Sequence, residues 1–404
     1  MRVATFLGLG STFGVSAAAT FAVTSSVYGD LSHPTRTTLI LLGLLLLHAL
    51  RYLRLWVSRE VLLELGFLGY AILTLAWTEN INAAVPTLPS MFNFVLILVL
   101  FSSLAAYHHI AALLTGALLG FAASAVMYTL TTGFPFSYPD DFSYNTMADF
   151  YLIGLFLTVL WGAYRRRALL VSPMAVALVL LVAATTSIKT NLGIALGTLG
   201  AAVLYFRPSA RQLLGMVVVV AVLAGAAGYG VARYPTLLDR VQAGVGRVSI
   251  GFDVLTNRAG DSGKTGLGNR EGWTREGLKG WAATPVFGHG VEAFRADFGI
   301  TSHSTPIDLL YNAGVIGCGL FYAILASVAW RVAIARDRRW RAVRACIVAC
   351  LITYSFMSLS GILYYDPFVA IFVGLATGLA ARLERHVAIA PERGRPPVDA
   401  AVQS

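Results

Sequence analysis

Ser302-His303-Ser304-Thr305-Pro306-Ile307-Asp308-Leu309-Leu310-Tyr311-Asn312-Ala313-Gly314-Val315-Ile316-Gly317 closes a polar loop on a histidine and opens an apolar helix at once. Pro306 suits the first turn of that helix, where a missing N–H costs no hydrogen bond and the fixed φ is already helical. The apolar run behind it continues to about residue 330, and roughly 20 such residues cross a bilayer. The stretch therefore reads as a transmembrane helix that begins beside a titratable imidazole. That imidazole stands at the membrane surface.

The rest of the chain agrees with this reading. Of its 404 residues 57% are hydrophobic and 12% charged, whereas a soluble domain carries roughly 25% charged residues. The mean hydropathy of +0.71 excludes an ordinary soluble fold. Apolar segments of spanning length are predicted at about 3–28, 37–57, 59–78, 91–106, 109–132, 147–164, 168–187, 190–206, 213–232, 305–330, 345–363 and 368–384. The expected fold class is thus an all-α polytopic membrane protein of about twelve transmembrane helices, with one large periplasmic loop carrying short interfacial helices. Residues 1–232 hold the helices before the loop, 233–303 the loop subdomain, 304–384 the helices after it, and 385–404 a disordered cytoplasmic tail.

The net charge of +10 is informative through its distribution. Arg51, Arg54 and Arg59, Arg165 to Arg167, Arg207 and Arg211, the cluster from Arg331 to Arg344, and Arg382 and Arg385 fall in alternate connections. By the positive-inside rule those connections and both termini are cytoplasmic, and the long loop is outside. The first segment lacks a small-residue cleavage site leading to a soluble domain and reads as a retained span. Cys318, Cys346 and Cys350 all fall within spans, so no disulfide framework or zinc site is implied.

A neutral imidazole at such a boundary can accept a proton near neutral pH, which makes His303 a candidate general base. A hydrogen-bonding histidine at a helix start is the plainer alternative. Taken as His303, Ser304, the intervening nine residues and Gly314-x-x-Gly317, the run resembles the signature of the O-antigen ligase and polysaccharide polymerase superfamily. Upstream, Arg270 and Trp273, then Trp281 and Pro285-Val286-Phe287-Gly288-His289-Gly290, resemble the superfamily segment in which an arginine, a tryptophan and a Pro-x-x-Gly-x-Gly turn precede the histidine.

The resemblance implies transfer of a preassembled glycan from undecaprenyl diphosphate to an acceptor sugar hydroxyl on the periplasmic face. The acceptor would be the lipid A core or a second lipid-linked glycan, and neither metal nor other cofactor is implied. A lipid diphosphate leaving group needs cations at the surface. Arg270 offers a planar fork for phosphate oxygens, against the alternative of a loop arginine paired with Glu271 or Glu276. Lys189 sits in the short connection Thr185-Thr186-Ser187-Ile188-Lys189-Thr190-Asn191, where an ionisable group near hydrocarbon is a functional candidate; snorkelling to lipid phosphates is its alternative. Relatives carry a Ser-Arg or Ser-Lys pair there, and this chain inserts Ile188. Gly314 and Gly317 are expected to give a thin helix face for close packing.

Glu64 and Asp149 are expected to pair with basic groups. Asp308 lies about 140° around the helix from His303 and is not expected to orient the imidazole by itself. A polymerase of lipid-linked repeat units shares every residue above. A glycolipid transporter or flippase is a more distant alternative, for which broken helices and a carboxylate within the membrane are expected. No nucleic acid enters any of these readings.

Overall fold

Long apolar runs become helices wherever the structure can be followed, because a backbone in lipid must satisfy its own hydrogen bonds. The computed structural model describes residues 2–25, 34–52, 57–132, 144–185, 187–206, 209, 268–335 and 338–389, and no strand occurs among them. The helices are α1 (Arg2–Ser25), α2 (Pro34–Tyr52), α3 (Arg59–Leu73), α4 (Ile81–Ala84), α5 (Leu88–Tyr107), α6 (Ile110–Thr132), α7 (Tyr144–Arg165), α8 (Ala168–Ala184), α9 (Ile188–Ala201), α10 (Gly268–Ala283), α11 (Ala293–Phe298), α12 (Thr305–Ile334), α13 (Arg341–Ser358) and α14 (Pro367–Ile389). A helix stands at each expected span except 213–232, which lies outside the described residues, as do the first part of the long loop and residues 390–404.

Among the described residues, 6 helices are long and apolar enough to cross a membrane: Ile81–Tyr107, Ile110–Thr131, Thr146–Arg165, Thr305–Ile334, Arg341–Ser358 and Pro367–Arg385. The chain is a membrane protein, all-helical among the described residues. Its helix pairs meet through glycines one turn apart. Gly116 and Gly120 of α6 face the backbone of α1 at Phe13 and Ala17, Gly197 of α9 faces Ala349 of α13, and Gly374 and Gly378 of α14 face Leu98 and Ser102 of α5. In lipid no hydrophobic force separates helix from solvent, so small residues that let backbones approach supply much of the association energy.

Four arginines, Arg331, Arg344, Arg382 and Arg385, lie at one end of the bundle. Arg331, near the end of α12, pairs with Glu60 of α3 at 2.9 Å and with Glu384 of α14 at 2.7 Å. Arg344 donates to Val332 O at 2.9 Å and Ala333 O at 3.1 Å, capping α12. Arg385 donates to Ala106 O at 2.9 Å, and Arg382 to His108 O, capping α5. Each places a cation on the negative end of a helix dipole.

Gly314, expected to give a thin helix face, is also a break: φ +60° and ψ −164° interrupt α12. The turn from Pro285 to Gly290 lies in the gap. His289 N–H donates to Tyr311 O at 2.9 Å, Gly290 N–H to Asn312 O at 2.8 Å, and Val315 N–H to Pro285 O at 2.9 Å. The groups freed by the break are thus satisfied by the turn, the condition for irregular backbone at membrane depth. A Cβ on Gly288 would sit 2.5 Å from Ala313 N, and one on Gly314 would collide with Val286 O. At Gly317 a Cβ would crowd the Ala313 side chain of the same helix and lie in ordinary contact with Tyr70, at 3.5 Å.

Candidate active site

At the opposite end from the arginines, α12 begins in a web of polar contacts. Ser304 caps the helix with extended backbone, and the preceding His303 has φ +57°. A left-handed conformation is uncommon for a residue with a Cβ and is held only where its surroundings over-determine it. Here the Ser302 hydroxyl does so. It accepts from Ser304 N–H at 3.2 Å and donates to Asp308 Oδ1 at 3.0 Å, straddling residue 303. Asp308, buried at 4% exposure, also accepts from Asn312 Nδ2 at 2.9 Å and from the Tyr364 hydroxyl at 2.8 Å. Asp308 is linked to the His303 loop through Ser302, which no sequence motif marked.

Helix α10 supplies the lid of this region. Trp273 lies against the His303 ring, centroids 5.7 Å apart, and Trp273 and Ile307 pack beside the small cluster of Ala293, Phe294 and Tyr311. Gly277 and Gly280 let α10 settle on Ile307 and Tyr311. Arg270 stands on the same helix one turn before Trp273. Its helix therefore approaches His303.

Lys189 falls in the first turn of α9, where a cation is disfavoured by the helix dipole. Asp149 of α7 lies 3.8 Å from Nζ, and the side chains are 14% and 8% exposed. Thr190 donates to the same carboxylate at 3.2 Å. Asp149 thus pairs as expected, whereas Glu64 does not: both its carboxyl oxygens are buried without a hydrogen-bond partner among the described residues.

The connection between α13 and α14 joins these parts. A Cβ on Gly361 would lie 2.7 Å from Lys189 Nζ, and Gly361 O accepts from Thr305 N–H at 3.0 Å and Thr305 Oγ1 at 2.6 Å. Thr305 Oγ1 in turn accepts from Leu363 N–H at 2.9 Å. One glycine therefore touches both the lysine and the residue two past His303. Asp366, at the end of this connection, accepts from Phe368 N–H at 2.7 Å and Val369 N–H at 3.2 Å. Burial, together with the Asp149 charge, pushes its carboxyl up to about 7.

Beside this web lies a polar cavity of about 630 Å³, walled by the connection from α4 to α5, by α11 and by Tyr365. Glu292 enters α11 with left-handed backbone, φ +60°, and accepts from Thr87 Oγ1 at 3.0 Å. Burial, then the nearby Asp308 carboxylate, raises the pKa of Glu292 above its ordinary value. Among the described residues no group of His, Cys, Asp and Glu has the arrangement of a metal centre. In sequence, the chain matches no family model and no curated protein.

Proposed function

We propose that this chain is an O-antigen ligase-type glycosyltransferase of the bacterial inner membrane, moving a preassembled glycan from undecaprenyl diphosphate to a sugar hydroxyl of the lipid A core. In this reading the chain has twelve spans, both termini are cytoplasmic, and the loop over 233–303 is periplasmic. The supporting observation is the left-handed His303 at the polar end of the bundle, with the helix that bears Arg270 against its ring and a shared glycine between its loop and Lys189.

The chemistry follows from those positions. His303 takes the proton of the acceptor hydroxyl, whose oxygen attacks the anomeric carbon. The bond from that carbon to the diphosphate oxygen breaks, and the electron pair leaves with the lipid diphosphate. Arg270 binds that group bidentately and Lys189 as a point charge. Lys189 shares its charge with Asp149, so it contributes less field than an unpaired cation and depends on Asp149 for position.

Polymerisation of lipid-linked repeats uses the same residues, with a different acceptor. A transport reading gains one feature from the break at Gly314 and another from the unpartnered Glu64. Reconstitution with a labelled lipid-linked glycan separates the three. Label on lipid A core supports the ligase, longer lipid-linked chains support the polymerase, and label moved across the bilayer without a new glycosidic bond supports the transporter.

A further inference from the structure

The cavity of about 630 Å³ lies within the roughly 300–1,000 Å³ of small-molecule sites, yet its lining is polar. Asn80, Asn82, Thr87, Ser90, Arg295 and Tyr365 line it. Some of these are committed elsewhere: Asn80 caps α4 by accepting from Ala83 N–H at 3.1 Å, and Thr87 is bonded to Glu292. Asn82, Ser90 and Arg295 make no side-chain hydrogen bond or ion pair among the described residues. An amide beside a hydroxyl and a guanidinium both donates and accepts along one edge. That pattern matches the vicinal hydroxyls of a pyranose, each of which also donates and accepts. A simple anion would use Arg295 and leave the Asn82 amide oxygen unmatched, and an apolar ligand would match none of Asn82, Ser90 and Arg295.

The cavity also shares its frame with His303. Gly299 lines it four residues before that histidine. Tyr365 follows Tyr364, whose hydroxyl donates to Asp308, and Asp308 accepts from the Ser302 that straddles His303. The cavity lining includes no residue of α9 or α10, the helices that carry Lys189 and Arg270.

We infer that this cavity binds a neutral pyranose through its vicinal hydroxyls, with Asn82, Ser90 and Arg295 as the recognising groups. That the bound sugar is the acceptor, not the donor, rests on the transferase reading above. Binding itself does not.

The test uses the full chain in lipid nanodiscs free of glycoside detergent, with methyl glycosides of glucose, galactose and mannose, glucuronate and glucose 6-phosphate as probes. Saturation-transfer NMR should detect at least one neutral glycoside. Asn82→Ala and Arg295→Gln should each lower the signal about fivefold or more, while Gly319→Ala, with open space around its Cβ, leaves it unchanged. Absence of signal from every neutral glycoside, binding of the two anionic sugars alone, or binding indifferent to both variants would overturn the inference. In a transfer assay Asn82→Ala should raise KM for the acceptor severalfold with kcat nearly unchanged, and an unchanged KM would remove the acceptor role. If binding persists but no chain transfers glycan, the transferase reading fails and the sugar site stands.

Discussion

At the scale of single residues, His303 joins two properties that substitution can separate: a left-handed backbone and an imidazole. His303→Gly keeps the φ of +57° without strain and removes the ring. It is expected to accumulate and melt like the native protein, yet to lose about 10² to 10⁴ in transfer rate if the imidazole is the general base. His303→Gly with more than about a tenth of the native rate would end that assignment. Lys189 needs a pair of variants, because its loss leaves Asp149 buried without its partner. Lys189→Met alone is expected to destabilise by about 3–5 kcal/mol, and adding Asp149→Asn to restore the melting temperature but not the transfer. Recovery of both would make the pair structural. For Arg270, a Lys substitution keeps charge and loses the fork, so Arg270→Lys should lose much of the activity and Arg270→Ala more. Native activity in Arg270→Ala would remove Arg270 from the site. His303 was legible because a histidine between a polar loop and an apolar run is a local pattern. The choice of Lys189 as the partner of Asp149, and the role of Gly361, were not, since they exist only after α7, α9 and the connection to α14 come together.

Secondary-structure elements carry the second set of expectations. The sequence marks Gly314 and Gly317 equally, but only Gly314 has positive φ, because whether a glycine serves packing or breakage depends on the chain laid against it. That chain is the Pro285 to Gly290 turn, whose own Gly288 accommodates the backbone of α12. The two motifs are therefore one device, each made possible by the other. Gly314→Ala forces a Cβ into the left-handed region and against Val286 O, at a cost on the order of 1–3 kcal/mol for the backbone alone. Its melting temperature should fall by several degrees, whereas Gly319→Ala, with open space around its Cβ, should change little. Equal melting of the two variants would contradict the break. The start of α14 adds a pH dependence. Asp366 has a folded pKa of about 7 against an ordinary 3.8, so the folded state holds the proton more tightly than the unfolded one. Its contribution to stability is complete below 3.8 and is lost as the pH rises to about 7. Asp366→Asn keeps an oxygen for the Phe368 and Val369 amides but cannot ionise. Melting temperatures between about pH 4 and pH 7 should decline less steeply in this variant than in the native chain.

For the whole molecule, the sequence divides charge between two sides, and the folded bundle divides it between two ends. Arg331, Arg344, Arg382 and Arg385 neutralise carboxylates or cap helices at one end. His303, Lys189, Asp366 and the polar cavity gather at the other. Short connections made this division readable, since each arginine lies a few residues from the end of an apolar run. The polar end was readable only as a list of anomalies, because the loops that assemble it meet across long stretches of chain. The arginine end should face the cytoplasm, where short basic loops are retained during insertion. A phosphatase or fluorescent reporter fused near Ala259 should report the periplasm, and one fused near Asp337 the cytoplasm. Both positions on one side would invert the relation between His303 and Arg331, which the 30 residues of α12 place at opposite ends of one helix. The arginine rule and the membrane placement of α12 would then fail together. With reporters on opposite sides but inverted, α12 would still span, and the site at His303 would face a compartment where the acceptor glycan is absent. That result would leave the fold intact and remove the ligase.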